Sequence, residues 1–369
     1  MKNSIILILF IIAIPSFVYG VSVGHYEIFP FDIMKNSKNL FSESTHNISD
    51  EILQTNISEL IDIQSIDDIE LKKSRLINYI WHTDSLPHNL PNTIEKNISW
   101  YGYQDIENLE QIEKIEIVMD YGLNSNPYLF IPENSNGKLI IYHRGHDGDF
   151  FLGKDTISYF IKEGYAVLAF SMPLVGNNNQ PVVDLENFGK IKLRYHDDFE
   201  LLDPTNFSPI KFFVEPIIVS LNYTDKNYNF ESYYMVGISG GGWTTTLSAA
   251  LDDRISKSYS AAGSLPFFLR SDLQDLGDYE QRVRSLYQIA NYLELYTIAS
   301  YGEERKHVQI FNKFDPCCFA GESLLNYYDT MEQKLSDLSG TFEIWIDDTH
   351  KEHKISSHMI NLILSSMES

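Results

Sequence analysis

One serine lies between glycines in a pattern that suits nucleophilic chemistry. Residues 237–241 have the sequence Gly-Ile-Ser-Gly-Gly, which matches the spacing G-x-S-x-G with Ser239 at its centre. The apolar run 233–238 is typical of a buried strand, and residues 243–250 are typical of a helix. A sharp strand-to-helix turn would raise the serine oxygen above a sheet, and the flanking glycines would relieve crowding there. Free N–H groups at the start of the helix would favour negative charge beside that oxygen. We therefore predict a nucleophilic serine.

A glycine-rich turn of this kind could instead bind a phosphate group. The dinucleotide pattern G-x-G-x-x-G is absent, because Ser239 stands where its second glycine would fall. The strand–turn–helix context therefore favours the nucleophile over the phosphate site.

The elements around this turn alternate between short strands and helices. Apolar runs typical of strands occur at 139–142, 165–170, 233–238, 255–262, 308–311 and 342–346. Segments with helical character occur at 154–163, 210–221, 243–250, 321–337 and 356–367. This alternation predicts an α/β fold with a mostly parallel sheet and helices on both faces. Upstream, residues 49–81 have helical spacing and residues 115–132 predict a β-hairpin.

Through the G-x-S-x-G turn and the surrounding strands and helices, the sequence resembles the α/β-hydrolase superfamily over about residues 112–369. Within that superfamily it is similar to the serine esterase and peptidase branches. The resemblance implies an α/β-hydrolase catalytic domain at 111–369, preceded by an N-terminal arm and helical extension at 21–110. Two longer stretches break the alternation, at about 172–209 and 266–305. We expect them to be cap insertions, because a doubly wound sheet places its ligand crevice beyond the strand ends.

The same resemblance implies an acid and a base for the serine. A strand at 307–311 runs into Asp315-Pro, which is similar to the family's strand-loop-Asp-Pro segment, so Asp315 is the expected acid that orients the imidazole. Asp347 and Asp348, at the end of the last strand, are rivals. His353 is followed by Lys-Ile-Ser, which is similar to the family's His-x-Ile-Ser ending, and is the expected base. His350, in the same loop, is the alternative base.

Two backbone N–H groups are expected to form an oxyanion hole. The resemblance implies Gly240, directly after the serine, as one donor. The loop after the first central strand, residues 143–148, is similar to the family's His-Gly-x-x segment and implies His146 as the other, with Asp147 as the alternative. Arg144 stands where the family usually has histidine.

A metal site is the competing interpretation of the histidines. His143, His146 and Asp147 lie close together in sequence, as do His350 and His353, and Zn²⁺ takes imidazole and carboxylate ligands. No H-E-x-x-H or H-x-H-x-D-H pattern occurs, and a metal would leave the G-x-S-x-G turn unexplained. We therefore expect no metal and no other cofactor.

Two acidic residues in the second insertion could instead bind a charged group of a substrate. They are Asp275 and Glu280. Acidic residues are common in the solvated first turn of a helix, where they face the positive end of its dipole, so we predict such a helix start for this segment.

The first twenty residues resemble an export signal. Lys2 is followed by the apolar run 5–14, and cleavage is expected after Gly20. An uncleaved N-terminal anchor is the alternative, and no later stretch approaches the length of a membrane span. The mature protein is expected to be secreted or held at the cell surface.

The only cysteines, Cys317 and Cys318, are adjacent, and the sequence leaves open a vicinal disulfide or two buried thiols.

The negative net charge of the chain disfavours some classes of binding partner. Lys and Arg number 28 and Asp and Glu number 51, for a formal charge of −23, which disfavours nucleic acid and anionic membrane surfaces. We predict an exported serine hydrolase acting on a small-molecule or polymer-borne acyl substrate, most readily a carboxylic ester. A serine peptidase or amidase with the same residues, or a non-catalytic surface binding protein of this fold, are the alternatives. The oligomeric state is left open.

Overall fold

The computed structural model describes most of the chain beyond residue 53. The described residues are 19, 52, 54–100, 102–202, 206–270, 276–320, 327–336 and 338–368. The chain divides into two units, Met1–Thr45 and His46–Ser369, and the description below concerns the second. Of the predicted signal peptide, only Tyr19 is among the described residues, so its predicted cleavage residue Gly20 lies outside them. Asp275, one of the two acidic candidates, also lies outside them.

A ten-stranded sheet forms the centre of the described structure. The strands are β1 (Thr93–Glu95), β2 (Leu109–Val118), β3 (Asn124–Ser125), β4 (Tyr128–Pro132), β5 (Lys138–His143), β6 (Ala166–Phe170), β7 (Val182–Leu185), β8 (Gly189–Lys192), β9 (Ser232–Ile238), β10 (Ile255–Ala261), β11 (Lys306–Asn312) and β12 (Thr341–Asp347). Their order is β1-β2-β4-β6-β5-β9-β10-β11-β12, with β3 paired to β2 and with β7 and β8 in a separate antiparallel hairpin. Strands β6, β5, β9, β10, β11 and β12 are parallel, whereas β1, β2 and β4 are antiparallel.

The helices lie between and beside these strands. They are α1 (Ile66–Trp81), α2 (Lys154–Lys162), α3 (Lys211–Asn227), α4 (Gly240–Leu251), α5 (Tyr279–Arg282), α6 (Arg284–Ile289), α7 (Tyr292–Ser300), α8 (Tyr328–Ser336) and α9 (Ser357–Glu368). Within the described ranges, none of them is both long and apolar enough to cross a membrane.

Helices pack against both faces of the sheet through buried apolar side chains. Leu139 and Ile141 of β5 belong to one buried cluster, which also contains Leu247 of α4. Ile140, between them, belongs to a second cluster with Ile363 of α9. Successive side chains of a strand point to opposite faces, so the two clusters cover the two sides of the sheet. The predicted α/β class, with a mostly parallel sheet flanked by helices, is confirmed.

Helix α1 begins at a capping box. The Ser65 hydroxyl accepts a hydrogen bond from the Asp68 backbone N–H at 3.3 Å, and the Asp68 carboxylate accepts one from the Ser65 backbone N–H at 2.9 Å. The buried residues Leu76 and Ile80 of α1 belong to the same apolar cluster as Leu247 of α4. The helical segment predicted upstream of the sheet therefore shares a core with the helix that follows the serine.

The two predicted insertions contain different structures. Residues 172–209 include the β7–β8 hairpin and a 3₁₀ helix at His196–Leu201. Residues 266–305 include α5, α6 and α7. Their assignment as caps stays a prediction.

Candidate active site

Ser239 occupies a sharp turn between β9 and α4. Its backbone has φ 57° and ψ −128°, a conformation that side-chain-bearing residues rarely adopt. A side chain at position 237 would place its Cβ 2.1 Å from the Gly241 carbonyl oxygen, so only glycine fits there. The turn is therefore held by tight packing around it, and the serine side chain projects from the end of a buried parallel strand.

Ser239 lines a pocket of about 340 Å³. The pocket is formed where the ends of several parallel strands meet the second predicted insertion, as expected for a ligand crevice in such a sheet. The other lining residues are His146, Gly240, Ala262, Gly277, Asp278, Gln281, Cys317, Cys318 and Phe319. Both residues predicted to donate to an oxyanion, Gly240 and His146, thus lie at this pocket. Their use as donors stays a prediction.

The predicted acid and base are joined by a hydrogen bond. Asp315 follows β11, and its Oδ2 lies 2.8 Å from His353 Nδ1. The same oxygen accepts a hydrogen bond from Asn312 Nδ2 at 3.1 Å, while Oδ1 accepts from the backbone N–H groups of Cys317 and Cys318 at 2.8 and 3.3 Å. The Asp315 side chain is fully buried, so these donors replace the water that would otherwise solvate its charge.

The orientation of His353 suits a general base. With Nδ1–H donated to Asp315, the neutral ring carries its lone pair on Nε2. That Nε2 is buried and has no hydrogen-bond partner among the described residues. The structure thus brings Asp315 and His353 together but does not join His353 Nε2 to Ser239 Oγ by a hydrogen bond. The first proton transfer would require these two atoms to come into contact.

His350 has a different carboxylate partner. Its Nε2 lies 3.3 Å from Asp347 Oδ2, and its Nδ1 accepts the Glu352 backbone N–H at 3.1 Å. Burial acts to raise the pKa of Asp347, but hydrogen bonds from Ser356 and Thr349 outweigh it and lower that pKa. This geometry favours His353 over His350 and Asp315 over Asp347, and the assignments themselves stay predictions.

The two cysteines form a disulfide beside this pair. Cys317 and Cys318 are bonded to each other, so of the two outcomes left open by the sequence the structure has the vicinal disulfide. Their sulfur atoms and a ring nitrogen of His353 lie within 4.8 Å of one another. Since both cysteines also line the pocket with Ser239, the disulfide connects the Asp315–His353 pair to the pocket wall.

The histidines considered for a metal separate in the structure. His143 is buried, its Nδ1 lies 2.9 Å from the Arg144 carbonyl oxygen, and burial lowers its pKa to about 4. His146 instead meets residues that the sequence did not connect to it. Its Nε2 lies 2.9 Å from His196 Nδ1, 3.0 Å from Glu280 Oε1 and 3.1 Å from Asp278 Oδ2.

Glu280 corrects one prediction from sequence. Glu280 does lie in the first turn of a helix, α5, but the predicted solvation is wrong, because its side chain is fully buried against His146 and His196. Burial acts to raise the pKa of Glu280, but attraction to the two histidines holds it well below its usual range. Burial likewise disfavours a charged His146, yet Glu280 and Asp278 outweigh it and raise its pKa. No periodicity in the sequence indicates this cluster, since its members come from the loop after β5, a 3₁₀ helix and the start of the short helix α5.

Comparisons with known proteins identify similar folds. No protein-family model and no curated protein sequence matches the chain. Among solved structures, acetyl xylan esterase 1 from a Thermoanaerobacterium species is 14% identical, with a TM-score of 0.55 over 82% of this chain and 93% of that one. An acetyl xylan esterase from a Paenibacillus species is 15% identical, with a TM-score of 0.56 over 85% and 98%. A methylesterase is 12% identical, with a TM-score of 0.54 over 86% and 66%. At such identity the likeness is one of fold.

Proposed function

The chain has the α/β-hydrolase fold, as its sequence predicted, and from this premise we propose that it is a serine hydrolase that cleaves carboxylic esters. The observation that carries the proposal is the placement of Ser239, on a strained strand-to-helix turn, in a pocket whose wall adjoins the Asp315–His353 pair. The solved structures named above are esterases, which supports an ester over an amide. A pocket of about 340 Å³ suits a short acyl group, on either a small molecule or a polymer.

The proposed reaction proceeds through an acyl-enzyme. Ser239 Oγ attacks the ester carbonyl while His353 Nε2 takes its proton, and the N–H groups of Gly240 and His146 stabilise the resulting oxyanion. Collapse of this intermediate breaks the bond to the alcohol, which leaves with the proton from His353. Water then attacks the acyl-enzyme with His353 again as base, releasing the acid and restoring Ser239. Asp315 holds the His353 tautomer throughout and stabilises its cation.

Labelling with a fluorophosphonate probe tests the nucleophile, because such probes require a base-activated serine. We expect the wild-type protein to be labelled and Ser239→Ala to be unlabelled, with hydrolysis of p-nitrophenyl acetate falling by about 10⁴-fold or more. Ser158→Ala is the matched control, since among the described residues that hydroxyl bonds only to Lys154 O of its own helix, and it should label like wild type. Absent labelling of the wild type would instead support a non-catalytic binding protein.

The two histidines provide a second test of the same proposal. His353→Ala should abolish labelling, because Ser239 loses the base that takes its proton. His350→Ala should keep it, since His350 pairs with Asp347 rather than with Asp315. The opposite result would assign the base to His350 and leave the nucleophile unchanged.

Export is the remaining part of the proposal. The sequence of residues 1–20 supports it, and the mature chain would begin at Val21. Expression of the full chain in a secreting host, followed by N-terminal sequencing of the protein in the medium, tests this. A product that stays with the membrane and retains residue 1 would indicate an uncleaved anchor instead.

A further inference from the structure

Four potential ligand atoms converge beside the candidate active site. They belong to His146, His196, Asp278 and Glu280, and all lie within 4.8 Å of one another. His146 Nε2 is 2.9 to 3.1 Å from the nearest atom of each of the other three residues. His196 Nδ1 is also 3.0 Å from Glu280 Oε2. The atoms come from both imidazoles and both carboxylates, which are the donor types that Zn²⁺ takes in proteins.

Hydrogen bonds alone cannot satisfy all four of these polar side chains. If His146 Nε2 carries its proton, that single hydrogen faces three acceptor atoms, and it can make a good hydrogen bond with only one of them. If His196 Nδ1 is protonated as well, two N–H groups face each other across 2.9 Å. A cation at the centre removes both conflicts, because both nitrogens and both carboxylates then present lone pairs to it.

A second observation points into the same space. Glu280 is fully buried, and its Oε1 accepts no hydrogen bond from any described residue, although it lies 3.0 Å from His146 Nε2. Burying a carboxylate oxygen without a partner is costly, so native structures normally supply a donor or a cation. This oxygen faces His146 Nε2 without a hydrogen bond, so its lone pairs are available to a cation.

The surroundings of His196 are also those of a metal ligand. Its Nε2 lies 2.9 Å from the Pro173 carbonyl oxygen, and an N–H at Nε2 donated there leaves the lone pair on Nδ1. That Nδ1 is the atom that faces His146 and Glu280. A backbone carbonyl behind a histidine in this way fixes the tautomer that binds a metal.

We propose that His146, His196, Asp278 and Glu280 form a binding site for one Zn²⁺ ion. A tetrahedral zinc with bonds of about 2.0 to 2.1 Å has ligand atoms about 3.3 to 3.4 Å apart, so the three spacings from His146 Nε2, 2.9 to 3.1 Å, need to expand by about 0.2 to 0.5 Å. Two nitrogens and two oxygens at this spacing disfavour Ca²⁺ and Mg²⁺, which take six or more oxygen ligands. The Asp278 side chain is about half exposed, 51%, which gives the ion a path from solvent.

The site would tie three loops together at the pocket. His146 comes from the loop after β5, His196 from the first predicted insertion, and Asp278 and Glu280 from the second. His146 and Asp278 also line the pocket with Ser239. With four protein ligands the ion is structural, as closed zinc sites are, and its effect is to hold both insertions against the loop that carries the predicted oxyanion donor.

Metal content measured on the purified protein tests the proposal without reference to activity. The protein is stripped with a chelator, dialysed against micromolar Zn²⁺ under non-reducing conditions and analysed for bound metal. We expect one zinc per chain, and a melting temperature that rises when Zn²⁺ is added. Glu280→Gln should weaken binding by about 100-fold or more, since even groups behind the ligands cost 10- to 100-fold.

One further ligand variant and two control variants distinguish this site from others. Asp278→Asn changes a half-exposed side chain, so it should weaken zinc binding in a protein that still folds. Glu294→Gln alters another buried carboxylate, paired with Lys72, and should keep the zinc. His353→Ala should also keep it, which excludes the group formed by His353 and the cysteine sulfurs. Substoichiometric zinc in wild type, or equal zinc in wild type and Glu280→Gln, would overturn the proposal in favour of a salt-bridged cluster.

Discussion

Replacement of Gly145 by alanine should press an added Cβ against Ser239 and displace the serine turn, while every proposed catalytic residue keeps its identity. Gly145 lies in the loop after β5 and packs directly against the turn. An added Cβ would lie 2.5 Å from Ser239 Cβ and 2.9 Å from the Ile238 carbonyl oxygen. Ordinary contacts begin at 3.4 Å, so the closer pair is short by about 0.9 Å. The two closest atoms are a Cβ and a backbone oxygen, so rotation of a flexible side chain cannot relieve these contacts, and Ser239 Oγ lies at 3.1 Å as well.

The size of the effect follows from this displacement. A misplacement of about 1 Å between reacting groups costs roughly 10²-fold in rate, so kcat/KM for p-nitrophenyl acetate should fall by about 10²-fold. Overpacking of a well-packed site also costs about 1–3 kcal/mol of folding free energy, which should appear as a lower melting temperature. Because Ser239 and His353 remain present, slow labelling by the fluorophosphonate probe should persist.

Gly102→Ala is the matched control for this variant. Its added Cβ would meet nothing within 4 Å, so kcat/KM and the melting temperature should equal those of wild type. The reasoning is refuted if Gly145→Ala retains kcat/KM within about threefold of wild type and melts at the same temperature, because the loop contact would then have no part in positioning Ser239.

Three further outcomes are expected. Asp315→Asn should lower kcat by about 10⁴-fold with little change in melting temperature, because an amide cannot hold the His353 tautomer. Steady-state kinetics measures this, and an unchanged kcat would contradict the role of Asp315. Ser65→Ala should lower the free energy of unfolding by about 1 kcal/mol through loss of the α1 cap, and an unchanged urea midpoint would contradict this. Burial lowers the pKa of His307 to about 3, so the unfolded chain binds the extra proton below pH 6.5 and stability falls as pH falls from there. His307→Gln should therefore lose about 2 kcal/mol less than wild type between pH 7.5 and pH 5 in urea titrations.

The serine turn could be predicted because its determinants are local. Residues 237–241 themselves set the conformation: only glycine fits at position 237, and the φ of 57° at Ser239 is reached at the junction of a buried strand and a helix. The strands could also be predicted from sequence, because parallel strands such as β6 are buried on both faces and therefore consist of continuous apolar runs. The local sequence therefore suffices to predict these features, although the loop that carries Gly145 also packs against the turn.

The choice between the two histidines needed the fold. His350 and His353 are three residues apart in one loop, and the sequence ranks them only by resemblance. The structure separates them through their partners, because His353 meets Asp315 from the loop after β11 while His350 meets Asp347 from its own strand end. The distance between adjacent parallel strands, rather than any local pattern, determines which carboxylate each ring reaches.

The cluster around His146 was decided entirely by tertiary structure. His146 and His196 are 50 residues apart, and His196 and Glu280 are 84 apart, with each residue on a separate segment of the chain. A four-residue helix such as α5 is too short to show the periodicity that identifies buried positions, so the sequence predicted a solvated Glu280. Its burial follows from the packing of two insertions against the loop after β5. Local stereochemistry thus determined the serine turn and the strands, whereas long-range packing determined which charged groups meet beside that turn.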